Sequence, residues 1–173
     1  MVCIDAVKCC LRAVEPSDVE VMYLWENDPE VWRVSGTCAP MSRAQLMRFV
    51  EEQQYDIYAM RQMRLIIDVE GVAVGAIDLF DFEPRHRRLG LGILIYSPEV
   101  RRQGYARAAV EAVKRYAREV LGLRQVWATM TVDNVQSIAL FEACGFDRCG
   151  VRRAWIHTPE GFCDEVEYQC LFD

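Results

Sequence analysis

The feature of the sequence that most constrains the fold is a strand, a short loop and a long helix that follow one another directly. Leu89–Tyr96 is an apolar run that fits a buried strand. Gly104–Leu121 carries an apolar stripe at helical spacing, with charged residues on its opposite side. Because Val126–Val132 predicts a further strand, the segment forms a βαβ crossover, which requires a sheet covered by helices.

The segments on either side of this unit predict the rest of the fold. Before it come a strand at Val7–Ala13, a helix between the capped turn at 15–18 and the stop at 27–29, a helix after Ser42, and a hairpin of Leu65–Val69 with Val72–Asp78. After it come a short helix at Asn134–Cys144 and a closing hairpin of Cys149–His157 with Asp164–Leu171. The predicted order is β-α-α-β-β-β-α-β-α-β-β. It corresponds to an α+β (mixed α/β) domain with helices on both faces of a mostly antiparallel sheet.

Composition narrows the class of protein. The 173 residues fit a single domain over 1–173, without repeats or linkers. Lys and Arg total 20 against 26 Asp and Glu, so the formal net charge is −6. This acidic balance argues against a nucleic-acid partner and favours a cationic or amine-bearing substrate. No apolar run approaches the ~20 residues that cross a bilayer, so no membrane partner is expected.

The cysteines and histidines point to no metal centre. The chain has eight cysteines, but no pair shows Cys-x-x-Cys spacing, and His86 and His157 lie far apart in sequence. No charged segment followed by an apolar one precedes residue 14, so a reduced, cytoplasmic chain is expected. The cysteines inside apolar runs are interpreted as small core residues.

The loop between the strand and the long helix predicts an anion site. A helix N-terminus presents free backbone N–H groups and the positive end of the helix dipole. Gly104 lets a ligand approach the backbone closely, and Arg101 and Arg102 add positive charge. Neither the Gly-Lys-Ser/Thr of a P-loop nor the Gly-x-Gly-x-x-Gly dinucleotide fingerprint is present. The sequence therefore predicts a phosphate site of another type.

Two motifs in order give the chain its family resemblance. The first is Arg101-x-x-Gly104-x-Ala106. About thirty residues later comes the second, Asn134-x-x-Ser137-x-x-Leu140-Phe141-Glu142-x-x-Gly145-Phe146. Together they resemble the signatures of the GNAT family of N-acetyltransferases, and the resemblance extends over nearly the whole chain. It implies the GNAT fold, with a twisted sheet that splays at a β-bulge beside the cofactor site.

The resemblance also implies a cofactor site for acetyl-CoA as co-substrate. By position, Leu94, Ile95 and Tyr96 would line the pantetheine arm through their backbone. The pyrophosphate would lie on Arg101, Arg102, Gln103, Gly104, Tyr105 and Ala106, and the thioester end beside Asn134, Ser137 and Phe141.

The catalytic and substrate residues follow less directly. Many family members have a tyrosine at position 141 that is proposed to protonate the departing thiolate, and Phe141 cannot donate a proton. Ser137 or a water would have to substitute. Asp78 is the candidate for substrate binding or proton transfer, Asp81 a second substrate-binding carboxylate, and Trp25 a wall of the acceptor pocket.

The acceptor stays open at this stage. The branch that includes spermidine and ribosomal-protein N-terminal acetyltransferases is the most similar, and a small amine or polyamine is the first choice because of the acidic charge. The segment Trp32–Met41 contains no carboxylate, unlike the acidic substrate loop of the polyamine enzymes. A protein N-terminus and an aminoglycoside-type drug are alternatives, and a non-catalytic acyl-CoA-binding regulatory module is an alternative of another class. The family also suggests a homodimer.

Overall fold

The computed structural model describes residues 3–53 and 55–173. Its strands are β1 Cys3–Ala6, β2 Cys9–Ala13, β3 Met63–Val69, β4 Val72–Glu83, β5 Arg88–Ile95, β6 Gln125–Thr131, β7 Asp147–Thr158 and β8 Gly161–Leu171. Its α-helices are α1 Val19–Glu26, α2 Pro29–Ser35, α3 Arg43–Glu52, α4 Ile57–Met60, α5 Tyr105–Glu119 and α6 Val135–Ala143. Short 3₁₀ helices at Pro16–Asp18 and Pro98–Val100 precede α1 and α5.

The described strands form one sheet in the order β1-β2-β3-β4-β5-β6-β8-β7. Each neighbouring pair is antiparallel except β5 and β6, which are parallel and are joined through α5. This is the predicted βαβ crossover, and the mixed α/β class is confirmed.

Helices cover the sheet on both faces, as the apolar stripes predict. The core on one side joins α5 and α6 to the sheet, through residues that include Ile77, Leu89, Val110, Val126 and Phe141. On the other side, α1 and α3 pack on β3 and β4, through Met22, Trp25, Leu46, Ile66 and Ala76. The two cores hold β4 and β5 between them, and these strands carry the candidate site.

Three features of the fold differ from the sequence prediction, the first being α4, which the sequence did not predict. The predicted strand at Val7–Ala13 is shorter: residues 7 and 8 form a turn that joins β1 to a strand at Cys9–Ala13, and Ala6 pairs with Cys9. That turn has no glycine or asparagine to mark it. Pro29, interpreted as the stop of a helix, also starts α2, because the Asp28 carboxylate accepts a hydrogen bond from the Glu30 N–H and caps that helix.

The expectation of a fully reduced chain is wrong at one position. Cys10, on β2, is disulfide-bonded. Free thiols are found at Cys9, Cys38, Cys144, Cys149, Cys163 and Cys170. The spacing of cysteines along a sequence does not tell which thiols the fold brings together. Within the described ranges, no helix has both the length and the apolar character needed to span a membrane.

Candidate functional site

Strands β5 and β6 separate partway along their length. They pair at Arg88 with Gln125, and their last pair is Gly90 with Trp127. Beyond that pair, β5 continues to Ile95 along β4 only, and β6 continues along β8 only. A wedge-shaped opening, called here the splay, therefore lies between two strands that would otherwise be neighbours.

The β5 edge of the splay carries backbone groups without a strand partner. The N–H of Tyr96 donates to the Val74 carbonyl on β4 at 3.1 Å. Because successive residues of a strand direct their amides to opposite edges, Ile93 and Ile95 direct theirs toward the splay. Leu94 directs its carbonyl toward β4 instead, where a Cβ on Gly75 would lie 2.0 Å from it. Sequence reasoning selected Leu94 and missed Ile93.

An aromatic pair closes the narrow end of the splay. The Phe80 ring lies 5.2 Å from the Trp127 ring at 86°, and a Cβ at Gly90 would come within 2.4 Å of it. A bulge lies on β4 at this end of the splay: the register shifts between Phe80 and Glu83, and Asp81 in this bulge has a φ of 48°. A glycine is needed at position 90 because the Phe80 ring fills the space that a side chain would take.

The start of α5 presents free backbone donors, as predicted. Gly104 has a φ of 90°, and its carbonyl accepts the first helical hydrogen bond, from Ala108 N–H at 3.0 Å. The N–H groups of Tyr105, Ala106 and Arg107 consequently have no partner within the helix. A phosphate placed there would meet three donors and the positive end of the dipole.

Two exposed side chains of the loop, Arg101 and Gln103, donate hydrogen bonds to backbone carbonyls. The Arg101 guanidinium donates to the carbonyls of Ile95 at 3.0 Å and Tyr96 at 2.9 Å, so it braces the end of β5. Gln103 donates to the Glu99 carbonyl at 3.0 Å. Arg102 is exposed, with a φ of 62°. Of the two predicted arginines, Arg101 is the one that braces the backbone at the end of β5.

Asp78 is held by a half-buried arginine. Its two carboxylate oxygens accept from Arg64 at 2.6 and 2.8 Å, and Arg64 also pairs with Glu26 on α1. The side chains of Arg64, Glu26 and Asp78 are 18%, 13% and 36% exposed. Burial alone would lower the pKa of the Arg64 guanidinium, but the two carboxylates outweigh it and the pKa is raised. Asp78 pairs with Gly92 on β5, next to the splay.

A second arginine-bridged carboxylate pair lies beyond β6. Arg152 on β7 pairs with Glu165 and Glu167 on β8. Glu167 pairs with Thr129, which lies two residues after Trp127 on β6 and therefore on the same face of the sheet. Trp127 contacts Phe80, and Phe80 lies two residues after Asp78 on the same face of β4. Both clusters therefore lie on the same face of the sheet, on opposite sides of the splay. Sequence reasoning missed this cluster and Arg64.

The other predicted substrate residues are not brought together with Asp78. Asp81 lines an open cavity of about 800 Å³ on this face, with Arg61, Trp127 and Glu167 among its neighbours, and Asp78 is not part of that lining. Trp25 is 2% exposed and belongs to the core, with its ring 6.1 Å from that of Tyr96. In this structure the indole supports α1 against β5 and does not face a pocket.

The second motif forms the start of α6, directly after β6. The Asn134 carboxamide oxygen caps the helix by accepting from the Ser137 N–H at 3.1 Å, which leaves the half-buried Ser137 hydroxyl free of that contact. Phe141 is 3% exposed and packs edge-on against Phe146 with ring centroids 4.9 Å apart. The phenylalanine therefore serves the core on the α6 side of the sheet.

Comparisons with known proteins agree with this geometry. The acetyltransferase (GNAT) domain model matches residues 8–147. The chain is 26% identical over 160 residues to the spermidine N(1)-acetyltransferase of Vibrio cholerae serotype O1, and the aligned region covers 92% of this chain and 87% of that protein. The crystal structure of spermidine N-acetyltransferase from Vibrio cholerae in complex with CoA and spermine has a TM-score of 0.85 and 21% identity, with 95% of each chain covered. A dodecameric structure of spermidine N-acetyltransferase from the same organism has a TM-score of 0.78 at 21% identity, with 95% and 94% covered.

Proposed function

Since the chain belongs to the GNAT acetyltransferase family and is thus an acetyl-CoA-dependent N-acetyltransferase, we propose that it acetylates a primary amine of a small amine or polyamine at the splay. The observation that supports an amine acceptor is the pair of arginine-bridged carboxylate clusters. Each has two carboxylates and one guanidinium, so each keeps one net negative charge. An ammonium that reaches the splay passes between them.

The cofactor occupies the other side of the same opening in this proposal. The N–H groups of Tyr105, Ala106 and Arg107 bind the pyrophosphate where Gly104 leaves room, and Arg102 adds charge. The pantetheine arm pairs with the backbone of Ile93 and with the N–H of Ile95, whose carbonyl already accepts from Arg101, much as an added strand would.

The remaining predicted cofactor residues act through position. Arg101 and Gln103 hold the loop in shape through their hydrogen bonds to backbone carbonyls, and the Tyr96 carbonyl accepts one of those from Arg101. Asn134 and Phe141 hold α6 beside the thioester end, where Ser137 offers the hydroxyl.

The reaction is direct attack. The neutral amine nitrogen bonds to the thioester carbonyl carbon, the carbon–sulfur bond breaks, and CoA leaves as a thiolate while the nitrogen loses a proton. A thiol has a pKa of about 8.5, so the thiolate leaves without a strong acid, and the Ser137 hydroxyl or a water can protonate it. Because Arg64 already holds both oxygens of Asp78, we assign that carboxylate to attracting the ammonium, with water carrying the released proton.

The alternative functions differ in which amine accepts the acetyl group. A polyamine matches the acidic charge of the chain and the substrates named for the Vibrio cholerae enzymes. The cavity near Asp81 is lined by three arginines and three carboxylates, which suits an acceptor that carries both charges, such as a peptide with a free N-terminus. The family assignment sets the non-catalytic regulatory module aside, and Phe141 does not argue for it, because the thiolate leaves without a strong acid.

Assembly and location complete the proposal. The edge strand β7 and its neighbour β8 expose Trp155 and Phe162, which suits contact with a second copy of the chain. A homodimer and a cytoplasmic location stay predictions.

The proposal is tested with isotope-labelled acetyl-CoA and a panel of polyamines, amino-sugar drugs and peptides with free N-termini. Acetylated products are measured by mass spectrometry, because the free thiols of this chain would react with a thiol dye. Labelled acetyl on a polyamine, with an equal amount of CoA released, is the expected result. Binding of acetyl-CoA without transfer to any acceptor contradicts the proposal and favours the regulatory module.

A further inference from the structure

The turn of the N-terminal hairpin lies against the proposed phosphate loop. Lys8 follows Val7 between β1 and β2, and its Nζ donates to the Gln103 carbonyl at 2.8 Å. The same nitrogen lies 3.1 Å from the position that a Cβ on Gly104 would take. An ammonium from the opposite end of the sequence thus lies directly over the glycine at the start of α5.

The fold holds this lysine in place. Arg115 on α5 donates to the Asp5 carbonyl on β1 at 2.8 Å, which ties the hairpin to the helix. Ile4 and Cys9 pack against the core on the α5 side of the sheet. Lys8 is therefore presented by two paired strands and not by a free chain end.

The Lys8 ammonium has no counterion among the residues that the structure describes. In the part of the chain that the structure describes, no carboxylate forms an ion pair with it, and Glu99, the carboxylate of the loop, accepts instead from the Ser97 hydroxyl. The positive end of the α5 dipole opposes a nearby cation, and exposed Arg102 adds further positive charge. A cation fixed at such a place by a single carbonyl bond is explained by an anion that binds among these groups.

We propose that Lys8 is a further binding residue for acetyl-CoA and contacts one of its phosphate groups. The proposal rests on the cofactor site placed above at residues 101–106. Its ligand chemistry is a phosphate, which in this cofactor is either the pyrophosphate or the 3′-phosphate. The lysine acts on binding, so its loss changes KM for acetyl-CoA and leaves kcat unchanged.

The test measures Kd for CoA and for 3′-dephospho-CoA by calorimetry on the wild-type chain and on Lys8→Met, Lys8→Arg and Arg85→Met. Arg85 is an exposed cation in the β4–β5 turn, at the other end of β5 from the loop, and its replacement removes the same charge. We expect Lys8→Met to weaken CoA binding roughly three- to tenfold, Lys8→Arg to restore most of it, and Arg85→Met to change nothing. The difference between Lys8→Met and wild type should shrink as salt is added.

The second ligand distinguishes the phosphates. A loss with CoA that disappears with 3′-dephospho-CoA assigns Lys8 to the 3′-phosphate, and an equal loss with both assigns it to the pyrophosphate. Equal affinity of Lys8→Met and wild type for both ligands overturns the proposal. If Gly104→Val also binds CoA as tightly as wild type, the cofactor site itself is misplaced, which separates that failure from a failure of Lys8 alone.

Discussion

The two sides of the splay are built from different materials. The cofactor side consists of backbone: the free amides of Ile93 and Ile95 and the N–H groups that follow Gly104. The acceptor side consists of charged side chains, two carboxylate pairs that each share one arginine. A backbone site tolerates many side chains, whereas a side-chain site changes its ligand with a single substitution. One fold can therefore keep acetyl-CoA while its acceptor varies.

The largest effect is expected from removing Arg64, the half-buried arginine of the acceptor side. Arg64→Met leaves the carboxylates of Glu26 and Asp78 facing each other without a cation, and we expect a loss of about 2–4 kcal/mol in the free energy of unfolding. Chemical denaturation measures it. Arg43→Met is the control, because its pair with Glu20 is solvent-exposed. Similar denaturation midpoints for both variants would mean that the Arg64 cluster is an ordinary surface pair.

A smaller but more selective loss is expected on the cofactor side. Gly104→Val places a β-branched residue at a φ of 90° and brings its Cβ within 3.1 Å of the Lys8 Nζ. We expect about 2 kcal/mol less binding energy for acetyl-CoA, roughly a thirtyfold higher Kd, measured by calorimetry. Gly122→Val, also at a positive φ but with open space around it, controls for strain alone. If the two variants bind acetyl-CoA equally, the start of α5 does not hold the cofactor.

Asp78→Asn separates the two sides in one variant. The amide keeps the size of the carboxylate but removes the charge that faces the splay, so kcat/KM for a cationic acceptor should fall roughly tenfold. The Kd for acetyl-CoA should not change, because Asp78 belongs to the acceptor side. Steady-state kinetics and calorimetry on the same preparation give both numbers. Unchanged turnover would remove Asp78 from the acceptor site.

The smallest effect is expected at Ser137. Its N–H, and not its hydroxyl, takes part in the Asn134 cap, so Ser137→Ala keeps α6 intact. If the hydroxyl protonates the thiolate in parallel with water, kcat should fall about two- to fivefold while KM for acetyl-CoA stays constant. Stopped-flow measurement of CoA release tests this. An unaltered kcat would leave water as the proton source.

The same division explains what the sequence could predict. The loop at residues 101–106 was predictable because a helix start after a strand binds anions through geometry that a glycine and a short motif reveal. The order of elements from β3 to β8 followed from periodicity in the same way. On the cofactor side, the error was one of phase along β5: the residues 94–96 were chosen, but alternation directs the amides of 93 and 95 to the splay.

The acceptor side was not predictable, because it depends on register. Counting back from the tight turn after β3 pairs Val69 with Val72 and would place Arg64 opposite Ile77. A bulge between Ile67 and Asp68 shifts the pairing by one residue, so that Arg64 meets Asp78 instead. Gly75 pairs with Ile67 beside that bulge, but a glycine in a strand does not by itself give the shift in register. The charged cluster is thus the product of one extra residue in a strand.

Hydrogen–deuterium exchange with and without CoA tests the central claim most directly. On adding CoA, peptides that cover residues 91–95 and 104–107 should exchange more slowly, while peptides that contain Arg64 and Arg152 should not change. Adding an amine acceptor afterwards should protect the peptides around Glu26, Asp78 and Glu167. Protection by CoA that appears in the acceptor clusters, with none at β5 or at the start of α5, would contradict the division of the splay into a backbone side and a side-chain side.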